Sequence, residues 1–434
     1  MRTDVPRGGA SGTWYKSFRL HAWALYDFAT TPFSALVSTV AFPTFFKEVV
    51  AGGAREGDFL WGLTNSLAMA IVVLLAPGLG AYADAVGAKR RLLLIFTLFA
   101  VVGTSLLSLL GSGMVPLAMV FFIAAAAGYQ GGQVFYNAFL PEMTGPHNRG
   151  IVSGYGDALG YFGALIALVL AWPFYARTLG DTLEGVQPLF LMVAGFIILF
   201  SLPALLFVKD RGPATDAARI SVLGGLSRQL ETLRHMRRYR NTFRYLLAFL
   251  LYTDAITTMA VFVAIYARDV ANLEVQSIVL MFVIAQITAS LGSFGLGKLA
   301  DFIGAKAALG IILGIWMTVL VIGLFARSFA WFLVIGVLAG IGTGAVASVS
   351  RSMMSLLAPS DRQGEFFGFY AVAGRASAII GPLVFGAISS LTGDLRLGLG
   401  ALMVLIALAF IILQGVNVEI PARKNGRPVE GCET

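Results

Sequence analysis

Gly78-Leu79-Gly80-Ala81-Tyr82-Ala83-Asp84-Ala85-Val86-Gly87-Ala88-Lys89-Arg90-Arg91 returns in degenerate form as Gly295-Leu296-Gly297-Lys298-Leu299-Ala300-Asp301-Phe302-Ile303-Gly304-Ala305-Lys306. Gly80, Ala83, Asp84, Gly87, Ala88 and Lys89 match Gly297, Ala300, Asp301, Gly304, Ala305 and Lys306, each pair 217 residues apart. Each copy closes an apolar stretch and opens another through a short basic turn. A membrane chain whose second half repeats the first in parallel can rock two similar bundles about a site between them. The pattern therefore predicts a carrier.

Composition agrees. The chain is 58% hydrophobic and 12% charged, with a mean hydropathy of +0.82, where soluble domains carry about 25% charged residues. A span takes roughly 20 apolar residues, so 434 residues hold about a dozen. Leu- and Ala-rich runs without alternation exclude a membrane β-barrel. Spans are expected near 22–46, 60–83, 92–111, 115–140, 151–175, 187–208, 244–267, 276–300, 307–326, 331–356, 366–391 and 396–417. The first contains an aspartate and a proline and is read as an uncleaved helix, not a signal peptide. The longest polar interruption gives the domain plan: a six-helix bundle over 1–208, a linker over 209–243, and a second bundle with a tail over 244–434. In the linker, Leu223, Leu226, Leu230 and Leu233 recur at helical spacing among arginines. They suit either an amphipathic helix on an anionic membrane or a solvated basic segment.

Charge predicts orientation. One side of the membrane would hold 24 of the 31 Lys and Arg residues. The opposite loops hold six: Lys47, Arg55, Arg177, Arg268, Arg327 and Arg396. The positive-inside rule places both termini in the cytoplasm of a bacterial-type inner membrane. The net charge of +8 then follows from topology and implies no nucleic-acid partner.

The repeated turn has a mechanical reading. Gly78, Gly80, Ala81 and Ala83 are expected to let the second helix approach a neighbour closely. Asp84 would latch the cytoplasmic side, pairing with Lys89, Arg90 or Arg91 or accepting from a helix N-terminus of the other half. Asp301 and Lys306 repeat the device. This doubled string resembles the signature loop of the major facilitator superfamily. Trp23-Ala24-Leu25-Tyr26-Asp27-Phe28-Ala29, Phe42-Pro43-Thr44-Phe45-Phe46, Phe135-Tyr136-Asn137-Ala138-Phe139-Leu140-Pro141, Ser153-Gly154-Tyr155-Gly156-Asp157 and Glu365-Phe366-Phe367-Gly368-Phe369-Tyr370 narrow the resemblance to the Atg22-like group. That resemblance implies an all-α fold of twelve transmembrane helices in two pseudo-symmetric six-helix bundles. It also implies a central cavity, and efflux of amino acids as the leading activity. Where the group has Asn-Ser, this chain has Thr30-Thr31-Pro32. Pro32 is expected to bend the first helix and free carbonyls at mid-membrane.

Four ionisable residues fall well inside spans: Asp27, Asp157, Asp254 and Arg375. Such groups face a cavity or a partner. Asp157 and Arg375 are equivalent in the two halves, 218 residues apart. They suit a gate, a site for the two ends of a zwitterion, or separate structural pairs. Asp27 and Asp254 lie early in the first helix of each half, suited to carrying a proton or a cationic group, to capping a local break, or to pairing with Arg19 or Arg244 at the membrane surface. Gln130, Gln133, Tyr136 and Asn137 on the fourth helix would read a substrate's polar groups, or bond neighbouring helices. Thr253, Thr257, Thr258, Ser348 and Ser350 are weaker candidates, since hydroxyls bond back to helical carbonyls. His21, His147 and His235 are too scattered for a metal site, and Cys432 is the sole cysteine. No cofactor is expected, no phosphate loop is present, and no nucleophile–base set suggests an enzyme.

The sequence thus predicts a monomeric secondary carrier for a small polar metabolite, working by alternating access and driven by a proton or other ion, with export favoured. A lipid or lysolipid carrier of the same fold stays open, favoured by an apolar cleft between helices 5 and 8. So does a ligand-sensing transceptor.

Overall fold

The computed structural model describes residues 17–53, 55–143, 149–176, 185–210, 239–358 and 363–417. Twelve helices among them are long and apolar enough to cross a membrane. We number them α1 (Phe18–Val50), α2 (Glu56–Val86), α3 (Lys89–Leu106), α4 (Val115–Met143), α5 (Arg149–Ala176) and α6 (Gln187–Phe207). The second half holds α7 (Arg240–Ala271), α8 (Val275–Ile303), α9 (Ala305–Phe325), α10 (Phe329–Leu357), α11 (Gln363–Thr392) and α12 (Leu395–Gln414). All twelve expected spans are present. An even number of crossings puts the start of α1 and the end of α12 on one face, called here the terminal face; the opposite is the far face. The linker leucines and Cys432 lie outside the described residues.

Within the first half α1 packs on α5 and α6, and α3 on α4; within the second, α8 packs on α10 and α7 on α11 and α12. Seams between the halves join α2 with α11, α5 with α8, and α1 with α7. In lipid no hydrophobic force drives helices together, so close backbone approach and polar contacts hold them. Small residues supply the approach. A Cβ at Gly344 would stand 1.8 Å from the Ala289 carbonyl oxygen, and one at Gly128 2.3 Å from the Ala100 nitrogen. The expectation for α2 holds at Ala83, which is buried, and needs correcting at Gly80. Gly80 faces open space, and the tight contact lies about five turns earlier, where a Cβ on Gly62 would sit 2.2 Å from the Pro382 carbonyl oxygen.

The outward faces present Leu98, Phe99, Val102, Leu199, Leu291 and Ile411, as a lipid solvent requires. Inside the first half, Phe42 stacks on Phe122 with centroids 4.9 Å apart and packs beside Trp61.

Pro32 does not break α1. The helix widens after it into a π-helical stretch, Phe33–Ala41, in which the Phe42 N–H reaches back five residues to Val37. A second wide stretch covers Phe46–Val50. Pro32 has no N–H for the carbonyl four residues back, that of Phe28. That carbonyl meets α5 directly, 2.2 Å from where a Cβ on Gly163 would stand. Only glycine allows this close approach.

The repeated turns share a positive-φ glycine and a closing hydrogen bond. Gly87 ends α2 with φ +67° and Gly304 ends α8 with φ +88°. Their N–H groups bond the carbonyls of Ala83 and Ala300, residues that also match in the sequence repeat. Both positions need the left-handed backbone that glycine adopts without strain.

Candidate functional site

A cavity of about 250 Å³ lies between the halves at mid-depth, reached by α1, α5, α7, α8, α9 and α10. Thr31, Ser34, Tyr161, Gln286 and Thr343 give it polar points, while Met259, Phe282 and Trp316 make much of the wall apolar.

One turn along α1 from Thr31 stands Asp27. Its Oδ1 accepts from Gln133 Nε2 at 2.9 Å and from the Thr31 hydroxyl at 3.3 Å. Gln133 Nε2 also lies 3.3 Å from the Thr30 hydroxyl. The carboxylate rests over α5 at Gly160, where a Cβ would stand 2.5 Å from Oδ2. α1, α4 and α5 therefore meet on one half-buried carboxylate.

Asp254 is built similarly but put to a different use. It is 2% exposed, and its Oδ1 accepts the Gly381 backbone N–H at 2.8 Å, beside Pro382, which interrupts the α11 ladder. That geometry is the capping of a local break, one of the roles the sequence left open. Thr31 follows Asp27 by four residues and Thr258 follows Asp254 by four. Each Asp–Thr pair sits over a glycine of the fifth helix of its half.

Asp157 does not meet Arg375. It pairs with Arg351 on α10 at 3.6 Å, both side chains nearly half exposed. Arg375 has no hydrogen-bond or ionic partner among the described residues. It lies one turn from Ile379, whose carbonyl accepts from Ser66 of α2 at 2.6 Å, and so shares the face of α11 that meets α2.

The α4 quartet divides. Tyr136 is 3% exposed and stacks on Trp23, centroids 4.4 Å apart, while the Trp23 indole donates to the Tyr136 carbonyl at 2.9 Å. It belongs to the core of the first half, because the helix turns it toward α1 and away from the cavity. Asn137 is exposed and donates to the Gln133 carbonyl at 2.8 Å. Gln130 is partly exposed. Thr257 bonds locally to the Thr253 carbonyl at 2.8 Å and Ser348 to that of Ala345 at 3.1 Å, while Ser350 joins α10 to α7 through the Tyr252 hydroxyl at 2.7 Å.

On the terminal face, the side chains of Asp84 and Asp301 lie outside the described part of the structure. Lys89 pairs with Glu142 at 2.7 Å. Arg90 donates from its backbone N–H to Asp210 at 3.1 Å and from Nε to the Leu205 carbonyl at 2.6 Å. Lys306 donates to the carbonyls of Gln414 and Val416, both at 2.9 Å. In each half, then, the start of the third helix is tied to the end of the sixth.

The far face carries a cluster the sequence reading missed. Lys47 bridges Asp58 at 2.7 Å and Asp269 of the other half. Arg268 pairs back with Glu48. The Ser389 hydroxyl donates to Asp58 at 2.5 Å, and the Trp61 indole donates to the Val261 carbonyl at 3.0 Å. A polar cavity of about 420 Å³ opens beside them, reaching Arg55 and Arg396. A signal was available. Lys47-Glu48-Val49 and Arg268-Asp269-Val270 are the same basic–acidic–Val string near the end of the first helix of each half. Read only as loop charges, they had given orientation and nothing more.

Two six-helix bundles around a central cavity, with the same turn built twice, define a transporter of the major facilitator class. Two solved structures share the fold. A mutant form of the nucleoside transporter NupG superposes with a TM-score of 0.70 at 12% identity, covering 92% of this chain and 99% of that one. A bacterial homologue of the human lysosomal transporter Spinster, inward-facing and unoccupied, gives 0.66 at 14% identity over 95% and 100%. The family model described as "Vacuole effluxer Atg22 like" matches residues 50–425, and the chain belongs to that Atg22-like family. It is 28% identical over 421 residues to the MFS-type transporter YxiO of Bacillus subtilis (strain 168), across 94% of this chain and 98% of that protein. To autophagy-related protein 22 of Kluyveromyces lactis it is 23% identical over 383 residues, 80% of this chain and 77% of that one.

Proposed function

We propose that this transporter is a secondary carrier that exports a small polar metabolite, amino acids first among the candidates, by alternating access and at the expense of a proton gradient. The observation that carries the reading is the charge division between the two halves within the spans. The first half brings the carboxylates Asp27 and Asp157, and the second brings the guanidinium groups Arg351 and Arg375. A dipolar solute would lie across that division, its cationic end toward Asp27 and Gln133 and its anionic end toward Arg375. A half-buried carboxylate held by amide and hydroxyl donors, with no cation on it among the described residues, suits proton exchange. The "effluxer" description of the family favours export. Both termini and the 209–243 linker would face the cytoplasm of an inner membrane, and one chain would suffice for transport. Asp84 and Asp301 would latch the terminal face in the opposite state of the cycle.

The test is thermal-shift screening of amino acids and other polar metabolites on purified protein, followed by counterflow in proteoliposomes. Counterflow of a stabilising amino acid, accelerated by an imposed proton gradient, is expected. Stabilisation without counterflow would make the protein a sensor. A second reading rests on the apolar wall: Met259, Phe282 and Trp316 suit the acyl chain of a lysolipid, with Phe282 on α8 near the α5 seam. Stabilisation by lysolipids and by no polar solute would select it.

A further inference from the structure

We propose that Lys47, Glu48, Arg268 and Asp269, with Asp58 as a reserve partner, form the far-side gate of the transport cycle. The bonds are reciprocal. Each half contributes one cation and one carboxylate from the end of its first helix, and each cation reaches the carboxylate of the other half. Equivalent positions related by a twofold axis meet only near that axis. The clasp therefore sits at the one place where a rocking motion separates the ends of α1 and α7 symmetrically.

Two features make it a gate and not a permanent weld. First, Asp58 belongs to the same half as Lys47 and lies 2.7 Å from it. When the halves part, Lys47 keeps a carboxylate, and no bare ammonium is left in a poorly hydrated seam. Second, the cross-half bonds continue inward as a row: Ser389 to Asp58, Trp61 to the Val261 carbonyl, Ser66 to the Ile379 carbonyl. Each is a single hydrogen bond, so the seam can open stepwise from the clasp inward. The neighbouring charges that face the clasp are Arg55, Asp394 and Arg396; none of them repeats between the halves in the same register.

Charge fixes the sign of each perturbation. Without Lys47, Asp58 and Asp269 face each other as like charges, so the far side opens. Without Arg268, Glu48 loses its cross-half partner, with the same result. The experiment uses the full chain with Cys432→Ser, spin labels at Glu56→Cys and Glu274→Cys, and electron–electron distance measurements in nanodiscs. Lys47→Ala and Arg268→Ala should each raise the open-to-closed ratio roughly tenfold, a typical coupling between two states. Lys47→Arg should keep the native distribution, and Glu48→Arg with Arg268→Glu should restore it. An unchanged distribution in both alanine variants would overturn the proposal, as would an exchanged pair that stays as open as Arg268→Ala. If no variant of the clasp folds, the bonds are structural and the gate assignment fails as well.

Discussion

Gly160→Ala and Gly381→Ala add the same methyl group against equivalent Asp–Thr pairs, and they should have opposite consequences. At Gly381 the new Cβ would stand 2.0 Å from the Thr258 hydroxyl and 2.5 Å from Asp254 Oδ1. Asp254 and Thr258 are both buried and have nowhere to go. Overpacking costs about 1–3 kcal/mol, and losing the Gly381 N–H bond to a carboxylate costs about 1.5–3 kcal/mol more. Alanine's helix preference returns only about 0.5–1 kcal/mol. The net expectation is a loss of about 2–5 kcal/mol. At Gly160 the Cβ would meet Asp27 Oδ2 at 2.5 Å and the Thr31 hydroxyl at 2.8 Å, but Asp27 is only half-buried and can swing aside. Stability should then change by less than about 1 kcal/mol, since the helix gain offsets the crowding. Transport should fall sharply, because the carboxylate leaves Gln133. Unfolding titrations in mixed detergent micelles give the first quantity and proteoliposome counterflow the second. Equal stability losses at the two sites, or a fully active Gly160→Ala, would refute the assignment of Asp254 to structure and Asp27 to transport.

Asp27→Asn should retain counterflow and lose acceleration by a proton gradient; gradient-driven uptake at the wild-type rate would remove Asp27 from coupling. Asp157→Arg and Arg351→Asp should each lower counterflow and their combination should recover it, whereas Asp157→Arg with Arg375→Asp should not; the reverse outcome would restore the pairing suggested by the repeat. Arg375→Gln should raise the KM of a carboxylate-bearing solute and spare that of its amide, read in the same assay. In a Cys432→Ser background, a cysteine at Glu56 should react with an impermeant maleimide added to whole cells and one at Arg91 should not; the opposite pattern would invert the topology.

The spans and the doubled turn were legible because hydrophobic length and a fixed offset survive in one dimension. Depth was legible too, since Asp27, Asp157, Asp254 and Arg375 do stand inside helices. Direction around the axis was not. Sequence equivalence put Asp157 and Arg375 at matching heights, but a twofold sends matching positions to opposite seams. α5 joins α8 on one side while α11 joins α2 on the other. The partner of Asp157 is therefore Arg351, whose counterpart at the same offset is not a charge but Gln133. Near the axis the same symmetry brings equivalent residues together, which is why Lys47-Glu48 and Arg268-Asp269 meet. Tyr136 failed as a cavity residue for a related reason: α4 carries polar groups on more than one face, and nothing in its sequence marks which face is covered by Trp23.

The wide winding of α1 sets phase as well as shape. In an unbroken α-helix, the twenty residues from Asp27 to Lys47 would place the two side chains about 200° apart around the axis, one turned to the cavity and the other to the outside of the bundle. π-helical turns take more residues per revolution, and the stretches at 33–41 and 46–50 subtract from that angle. The helix thus presents its carboxylate to α4 and α5 and its ammonium to the opposite half at the far face. α1 works as a crankshaft with two throws, and their relative angle is cut by the extra residue in each wide turn.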